Sequence, residues 1–294
     1  ILKAVRETPA AKAVAQLANQ ICVAALHMGE VYEASIRLYE QSMLGPDVQK
    51  LVVETDRGKL VGILEFPGQG GPYPVVLMFH GSGAGKEVLA EDARLYLARG
   101  MATLRVDLPG WGETTVPLTL TLQDAEILKE MITAALAHER VDPRGVGIFG
   151  ISYGPWHGGQ LCARDDRVRA MVSISGIFML GDPRPGLQIP ETLFRAFWEP
   201  MWKAGLRPAY GTKPSPDTSV YDVAHQIRCP ILLVYGALEP ERFRAQAEEL
   251  AALVPTAKTQ VWHSGVHVLR NVPEAAESAA DWMKEQIAGP GGTP

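Results

Sequence analysis

Short apolar runs alternate with amphipathic stretches along most of the chain, and the spacing inside each run predicts the element it forms. From about Pro9 to Gln41 the apolar residues Val14, Leu17, Ile21, Ala25, Met28, Ile36 and Tyr39 recur at helical intervals, which predicts two helices. Gly45-Pro46 ends that segment. Leu51 to Thr55 and Leu60 to Leu64 then flank Asp56-Arg57-Gly58, the signature of an antiparallel hairpin. Beyond it lie five compact apolar runs: Val75 to Phe79, Ala102 to Val106, Val146 to Phe149, Ala170 to Ile174 and Ile231 to Tyr235. Helical patterns over Val88 to Arg99, Leu122 to His138, Pro155 to Arg164, Glu241 to Leu253 and Glu274 to Ile287 separate or follow them. Strands alternating with helices predict an α/β fold, a mostly parallel sheet with helices on both faces.

One stretch breaks the alternation. Roughly fifty residues separate the run ending near Ser175 from the one starting at Ile231, more than a connection needs for geometry alone. This stretch holds a third of the chain's aromatic residues: Phe178, Phe194, Phe197, Trp198, Trp202, Tyr210 and Tyr221. Such a composition predicts an inserted helical lid over an apolar pocket, with Phe178, Trp198 and Trp202 as candidate substrate contacts. The bland alternative is an excursion that packs on the body for stability alone. The chain therefore divides into an N-terminal helical segment (1–46), a core (47–177 and 226–289) and a lid (178–225). Gly289 to Pro294 reads as a frayed tail.

Composition narrows the function classes. The 294 residues are 47% hydrophobic and 21% charged, which excludes disorder, and no apolar run approaches the roughly 18 residues of a membrane span. A net charge of −5 argues against nucleic acid or an anionic membrane as partner. Cys22, Cys162 and Cys229 are odd in number and far apart, which fits buried thiols in a reducing, cytoplasmic compartment. The chain opens on Ile1, so its true N-terminus and any targeting segment stay open.

The chemistry concentrates at Gly150-Ile151-Ser152-Tyr153-Gly154, between an apolar strand and a predicted helix. This is the context a G-x-S-x-G nucleophile turn requires: small residues two before and two after the serine allow a turn tight enough to lift its hydroxyl clear of the sheet. A serine hydroxyl needs a base, and in a fold of this kind the order along the chain is nucleophile, acid, histidine. His267, in Gly265-Val266-His267 between an apolar stretch and the last helix, is the candidate base; His263 is the rival. Glu239, three residues past Gly236 and just after the run ending at Tyr235, is the first candidate acid. Its competitors are Glu241, which also suits a helix N-terminus, and Asp182. An oxyanion hole needs two converging backbone N–H groups. Tyr153 supplies one, and Ser82 or Gly83 in the glycine-rich His80-Gly81-Ser82-Gly83-Ala84-Gly85 supplies the other. Gly83 and Trp111 are also candidate substrate contacts, Trp111 standing in the turn-rich Asp107 to Glu113 segment. Trp156 and His157, on the helix after the nucleophile, either line the pocket or pack beneath it.

Three look-alike motifs fail. The loop ending Gly85-Lys86 lacks Gly at position 80 and Ser or Thr at 87, so it is no P-loop. Gly145 to Gly150 matches G-x-G-x-x-G only across a strand. His263 and His267 form H-x-x-x-H without the glutamate and helix of a zinc protease.

On these residues the chain resembles a subgroup of the α/β-hydrolase superfamily, the one containing fermentation-respiration-switch-type esterases, 2,6-dihydroxypseudooxynicotine hydrolase and fungal heptaketide hydrolases. The resemblance runs from about Leu51 onward. It rests on His80-Gly81 with Lys86-Glu87, on Asp107-Leu-Pro-Gly-Trp-Gly-Glu113, on Val141 to Ser152, and on Ser173-Ile-Ser-Gly-Ile-Phe178. It implies a triad at Ser152, Glu239 and His267, backbone donors at Ser82 and Tyr153, no cofactor or metal, and extra N-terminal helices near the active-site entrance. Two features depart from the pattern: the family more often has Asp where Glu239 stands, and small residues where Pro155-Trp156-His157 stand.

The expectation is a serine hydrolase that forms an acyl-enzyme on a small, aromatic or apolar carbonyl substrate. The bond cleaved is the C–C bond of a β-diketone or acyl-aromatic ketone, or a carboxylic ester; the resemblance tilts the reading to C–C. The alternatives are an acyltransferase or thioesterase of a biosynthetic pathway, and a non-catalytic binding protein on a hydrolase fold. A homodimer is the candidate assembly.

Overall fold

A computed structural model describes residues 28–82, 84–180 and 219–288 of the chain. In chain order the elements are α1 (Met28–Met43), β1 (Val48–Thr55), β2 (Gly58–Glu65), β3 (Tyr73–Phe79), α2 (Ala90–Leu97), β4 (Ala102–Val106), α3 (Gln123–Glu126) and α4 (Lys129–Leu136). Then follow β5 (Val141–Ile151), α5 (Gly154–Arg164), β6 (Val168–Ile174), β7 (Ile231–Gly236), α6 (Glu241–Leu253), β8 (Ala257–Trp262) and α7 (Pro273–Ile287). The strands form one sheet in the order β1-β2-β4-β3-β5-β6-β7-β8. The β1–β2 hairpin turns through Asp56-Arg57, with Thr55 opposite Gly58. β2 is antiparallel to β1 and β4, and β3 through β8 pair in parallel.

Both faces of the sheet are buried at its centre, which is why the central strands read as unbroken apolar runs. The period-two alternation survives underneath. Val75, Leu77 and Phe79 of β3 join one core cluster, with Met131, Leu161 and Leu250 from α4, α5 and α6. Val76 and Met78 join the other, with Ala93 and Tyr96 of α2 and Ala279 and Met283 of α7.

Two helices differ from their expected form. The single helix expected over Leu122 to His138 is divided into α3 and α4, because Leu128, Glu130 and Met131 donate to carbonyls three residues back, tightening the chain into a 3₁₀ bend. The helix expected from Val88 begins instead as a 3₁₀ turn, Lys86–Leu89, that leads into α2. Of the two N-terminal helices expected, the second is α1; residues 1–27 lie outside the described residues, as do Gly83, Asp182, Trp198, Trp202, the body of the expected lid and the tail. The described residues on either side of the expected lid meet at one point. Val220 N–H donates to the Phe178 carbonyl at 2.9 Å, and the buried Gln246 side chain accepts from Phe178 N–H and Met179 N–H. Among the described residues no helix is long and apolar enough to cross a membrane.

After β4 the chain crosses to the opposite side of β3 to form β5, so the sequence order reverses between β3 and β5. A crevice outside the carboxyl ends of the strands at such a switch point is where an α/β sheet offers a ligand site.

Candidate active site

Ser152 leaves the end of β5 on a left-handed turn with φ +54°, a backbone conformation that costs a non-glycine residue free energy and survives only where the surroundings hold it. They do so here. Ser152 N–H donates to the Ile174 carbonyl at 3.0 Å, and the Ser152 carbonyl accepts from Ile177 N–H at 2.8 Å. The flanking glycines are required by contact. A Cβ on Gly150 would stand 2.8 Å from Pro155 N, and one on Gly154 would overlap the Phe79 carbonyl, so α5 packs directly over the end of β3. Pro155 near the start of α5 forfeits no helical hydrogen bond.

The loops after β7 and β8 bring Glu239 and His267 to the same place. His267 Nε2 lies 3.1 Å from Ser152 Oγ, and Nδ1 lies 3.1 Å from Glu239 Oε2. A carboxylate only accepts, so Nδ1 carries the proton and Nε2 presents its lone pair to the serine hydroxyl. Glu239 is held from its other side: its Oε1 accepts from Ser175 Oγ and from Gly236 N–H, both at 2.7 Å. Ser175 Oγ in turn accepts from Val268 N–H at 2.8 Å, so one hydroxyl ties the acid to the histidine loop. That loop is strained. Val268 has φ +67°, an outlier for a β-branched residue, and Leu269 has φ +58°. The ring of buried Phe243, from α6, packs 4.2 Å from the His267 ring, centroid to centroid.

The sequence reading assigned no role to Ser175 or Phe243. Ser175 lies within the Ser173 to Phe178 signature, but nothing in that pattern says its hydroxyl faces a carboxylate from a loop over sixty residues later. His263 is exposed and does not join the group.

The glycine-rich loop after β3 reaches Ser152. A Cβ on Gly81 would stand 3.2 Å from Ser152 Cβ, which sets the loop's backbone beside the serine. Tyr153 is the N-cap of α5, where backbone N–H groups have no partner within the helix. The aromatic candidates do not flank the site as open walls. Trp111, Trp156 and Phe178 are 4%, 0% and 0% exposed and pack into the hydrophobic core, where large apolar rings gain free energy by leaving water. His157 is equally buried, edge-on to Tyr153 at 4.9 Å and Trp156 at 4.7 Å. Burial, with His80 adding, lowers its pKa to about 3, so its imidazole is neutral. Burial likewise raises the Tyr153 phenol.

Gly236 is where the acid and histidine loops touch. An added Cβ there would overlap the Gly265 carbonyl. Gly236→Ala is expected to destabilise the fold by about 1–3 kcal/mol and to lower kcat by widening the Glu239–His267 contact. Urea unfolding and steady-state kinetics measure the two effects, and a wild-type midpoint would contradict the contact.

Among proteins of known kind, the Alpha/beta hydrolase family model matches residues 76–284. 2,6-dihydropseudooxynicotine hydrolase from Paenarthrobacter nicotinovorans is 24% identical over 257 residues, 86% of this chain and 69% of that protein. The crystal structure of the 2,6-dihydroxy-pseudo-oxynicotine hydrolase has a TM-score of 0.72 at 22% identity, covering 87% of this chain and 73% of that one. Human acyl-coenzyme A thioesterase 1 is 31% identical over 124 residues, 42% of this chain but 27% of that protein. With the family model spanning most of the sheet and its flanking helices, this chain belongs to the alpha/beta hydrolase family.

Proposed function

We propose that the protein is a serine hydrolase that forms an acyl-enzyme on a carbonyl substrate. The observation that carries the reading is the hydrogen-bonded line from Ser152 Oγ through His267 to Glu239, with each partner at 3.1 Å. As Ser152 Oγ attacks the carbonyl carbon, its proton passes to His267 Nε2, and Glu239 offsets the imidazolium charge. The carbonyl oxygen becomes an oxyanion between the N–H groups of Tyr153 and Ser82. Collapse breaks the bond to the leaving group, which takes the proton from His267. Water then attacks the acyl-enzyme, giving its proton to His267, and a carboxylic acid departs as Ser152 recovers its own.

The same constellation serves two bonds. A departing alcohol needs only the proton, whereas a departing carbon needs its electron pair delocalised into an enol or an aromatic ring. The geometry favours neither bond; the family resemblance alone tilts the reading to a β-diketone or acyl-aromatic ketone, with carboxylic esters as the second class. A thioester, or transfer of the acyl group to an acceptor other than water, is a further reading; the likeness to acyl-coenzyme A thioesterase 1 over part of the chain favours keeping it.

Incubation with a fluorophosphonate, then with aryl esters, acyl phenols, β-diketones and acyl thioesters, tests the proposal, with adduct and products identified by mass. The expected result is one phosphonyl adduct on Ser152 and cleavage in at least one class. A folded protein that takes up no adduct and cleaves none would support a binding protein instead.

A further inference from the structure

The loop that would supply the oxyanion donor is fastened at both ends to one segment, Asp107–Glu113. At its start, His80 is fully buried; its Nδ1–H donates to the Gly81 carbonyl at 2.7 Å and its Nε2 accepts from Leu108 N–H at 3.1 Å. Those partners fix the neutral tautomer, and burial lowers the ring's pKa. At its end stands Lys86, 1% exposed, with its ammonium 2.8 Å from each of Asp107, Glu113 and Glu87. Lys86 N–H donates to Asp107 Oδ1 at 2.8 Å, and Glu113 N–H donates to Asp107 Oδ2 at 2.9 Å. Burial opposes the charge on Lys86, yet the three carboxylates prevail and hold its pKa above the ordinary lysine value.

The chain of charges runs further. Glu113 Oε1 accepts from Lys50 Nζ at 2.7 Å, and Lys50 also pairs with Glu40 of α1. The ions form a continuous line from the N-terminal helix, across β1, to the oxyanion loop. Burying Lys86 and Asp107 is not an efficient way to stabilise a fold, because desolvation consumes much of the attraction. What such a network does provide is one fixed geometry, and an oxyanion donor misplaced by about 1 Å loses most of its effect.

We propose that Lys86 is a positioning residue for the oxyanion hole: clamped by Asp107, Glu113 and Glu87, it fixes the backbone that presents Ser82 N–H, and Lys50 with Glu40 makes α1 part of the same clamp. This rests on the serine-hydrolase reading above. It assigns a role to Lys86-Glu87 and to Asp107 and Glu113, which the sequence singles out and the triad leaves unused.

Wild-type protein is first tested for fluorophosphonate labelling and for inhibition by phenylboronic acid, whose tetrahedral adduct occupies the oxyanion hole. Failure of both overturns the serine reading itself. With that reading standing, Lys86→Met is expected to lower kcat and the labelling rate, and to raise the phenylboronate inhibition constant, by about a hundredfold. Lys50→Met, at a half-buried position, carries the test if Lys86→Met does not fold. It should move the same three quantities by about tenfold with KM within about twofold, and Lys50→Arg should restore them. Variants whose melting midpoints fall while kcat, labelling rate and inhibition constant stay at wild-type values would show a merely structural network and overturn the proposal.

Discussion

Ser152→Ala is expected to lower kcat by about 10⁴-fold or more and to abolish fluorophosphonate labelling, with the fold intact. The size follows from what the substitution removes. Without Oγ there is no acyl-enzyme, and what remains is the binding and polarisation of a carbonyl by backbone donors, which activates water weakly. In free-energy terms a 10⁴-fold loss is about 5.5 kcal/mol of transition-state stabilisation. Stability should barely change, because alanine keeps the Cβ and the backbone turn and the hydroxyl's one hydrogen bond is to His267. Single-turnover kinetics and an intact-mass labelling assay read the result. A Ser152→Ala protein that keeps turnover within tenfold of wild type would exclude a serine nucleophile.

Glu239→Gln is expected to cost about 10³- to 10⁴-fold in kcat, for a reason visible in its hydrogen bonds. Both carboxylate oxygens act as acceptors: Oε1 from Ser175 Oγ and Gly236 N–H, Oε2 from His267 Nδ1. An amide has one acceptor oxygen. If its NH₂ faces His267, Nδ1 must accept, the proton moves to Nε2, and the imidazole can no longer take the proton of Ser152. If instead its NH₂ faces Gly236, two donors meet in a buried place and the loop must shift. Either arrangement disables the base. The carboxylate variant Glu239→Asp should retain more activity than the amide, because it preserves charge and acceptor chemistry and loses only reach. Steady-state kinetics of both variants decide the matter: a Glu239→Gln protein within tenfold of wild type would pass the acid's role to another carboxylate.

Much of the fold is legible in the chain because local patterns suffice for it. The runs at Val75, Ala102, Val146, Ala170 and Ile231 each become strands, and their lack of strict alternation already says that both sheet faces are covered. Helix α6 has the limits that its periodicity indicates. Where the local signal misleads, a longer-range contact is responsible. The helix expected from Val88 starts as a 3₁₀ turn where Lys86 is anchored by Asp107 and Glu113. The aromatic candidates show the same limit. Composition finds Trp111, Trp156 and Phe178 near the site but cannot tell a ring facing a ligand from one facing the core, since both need the same apolar surface.

The sequence by itself determines the element order, the α/β class, the nucleophile turn with its required glycines, and the residue types for a base and an acid in the right order. These depend on spacing and on chemistry carried within a few neighbouring residues. Only the tertiary structure decides that Ser152 and His267, 115 positions apart, stand within hydrogen-bond distance. It alone decides that Ser175 joins the Glu239 loop to the His267 loop, and that Lys50 links α1 to Glu113, the partner of Lys86 at the end of the loop after β3. Each of those contacts joins loops or strands from distant parts of the chain. Their partners are chosen by how the sheet stacks its strands, an order that no local pattern encodes.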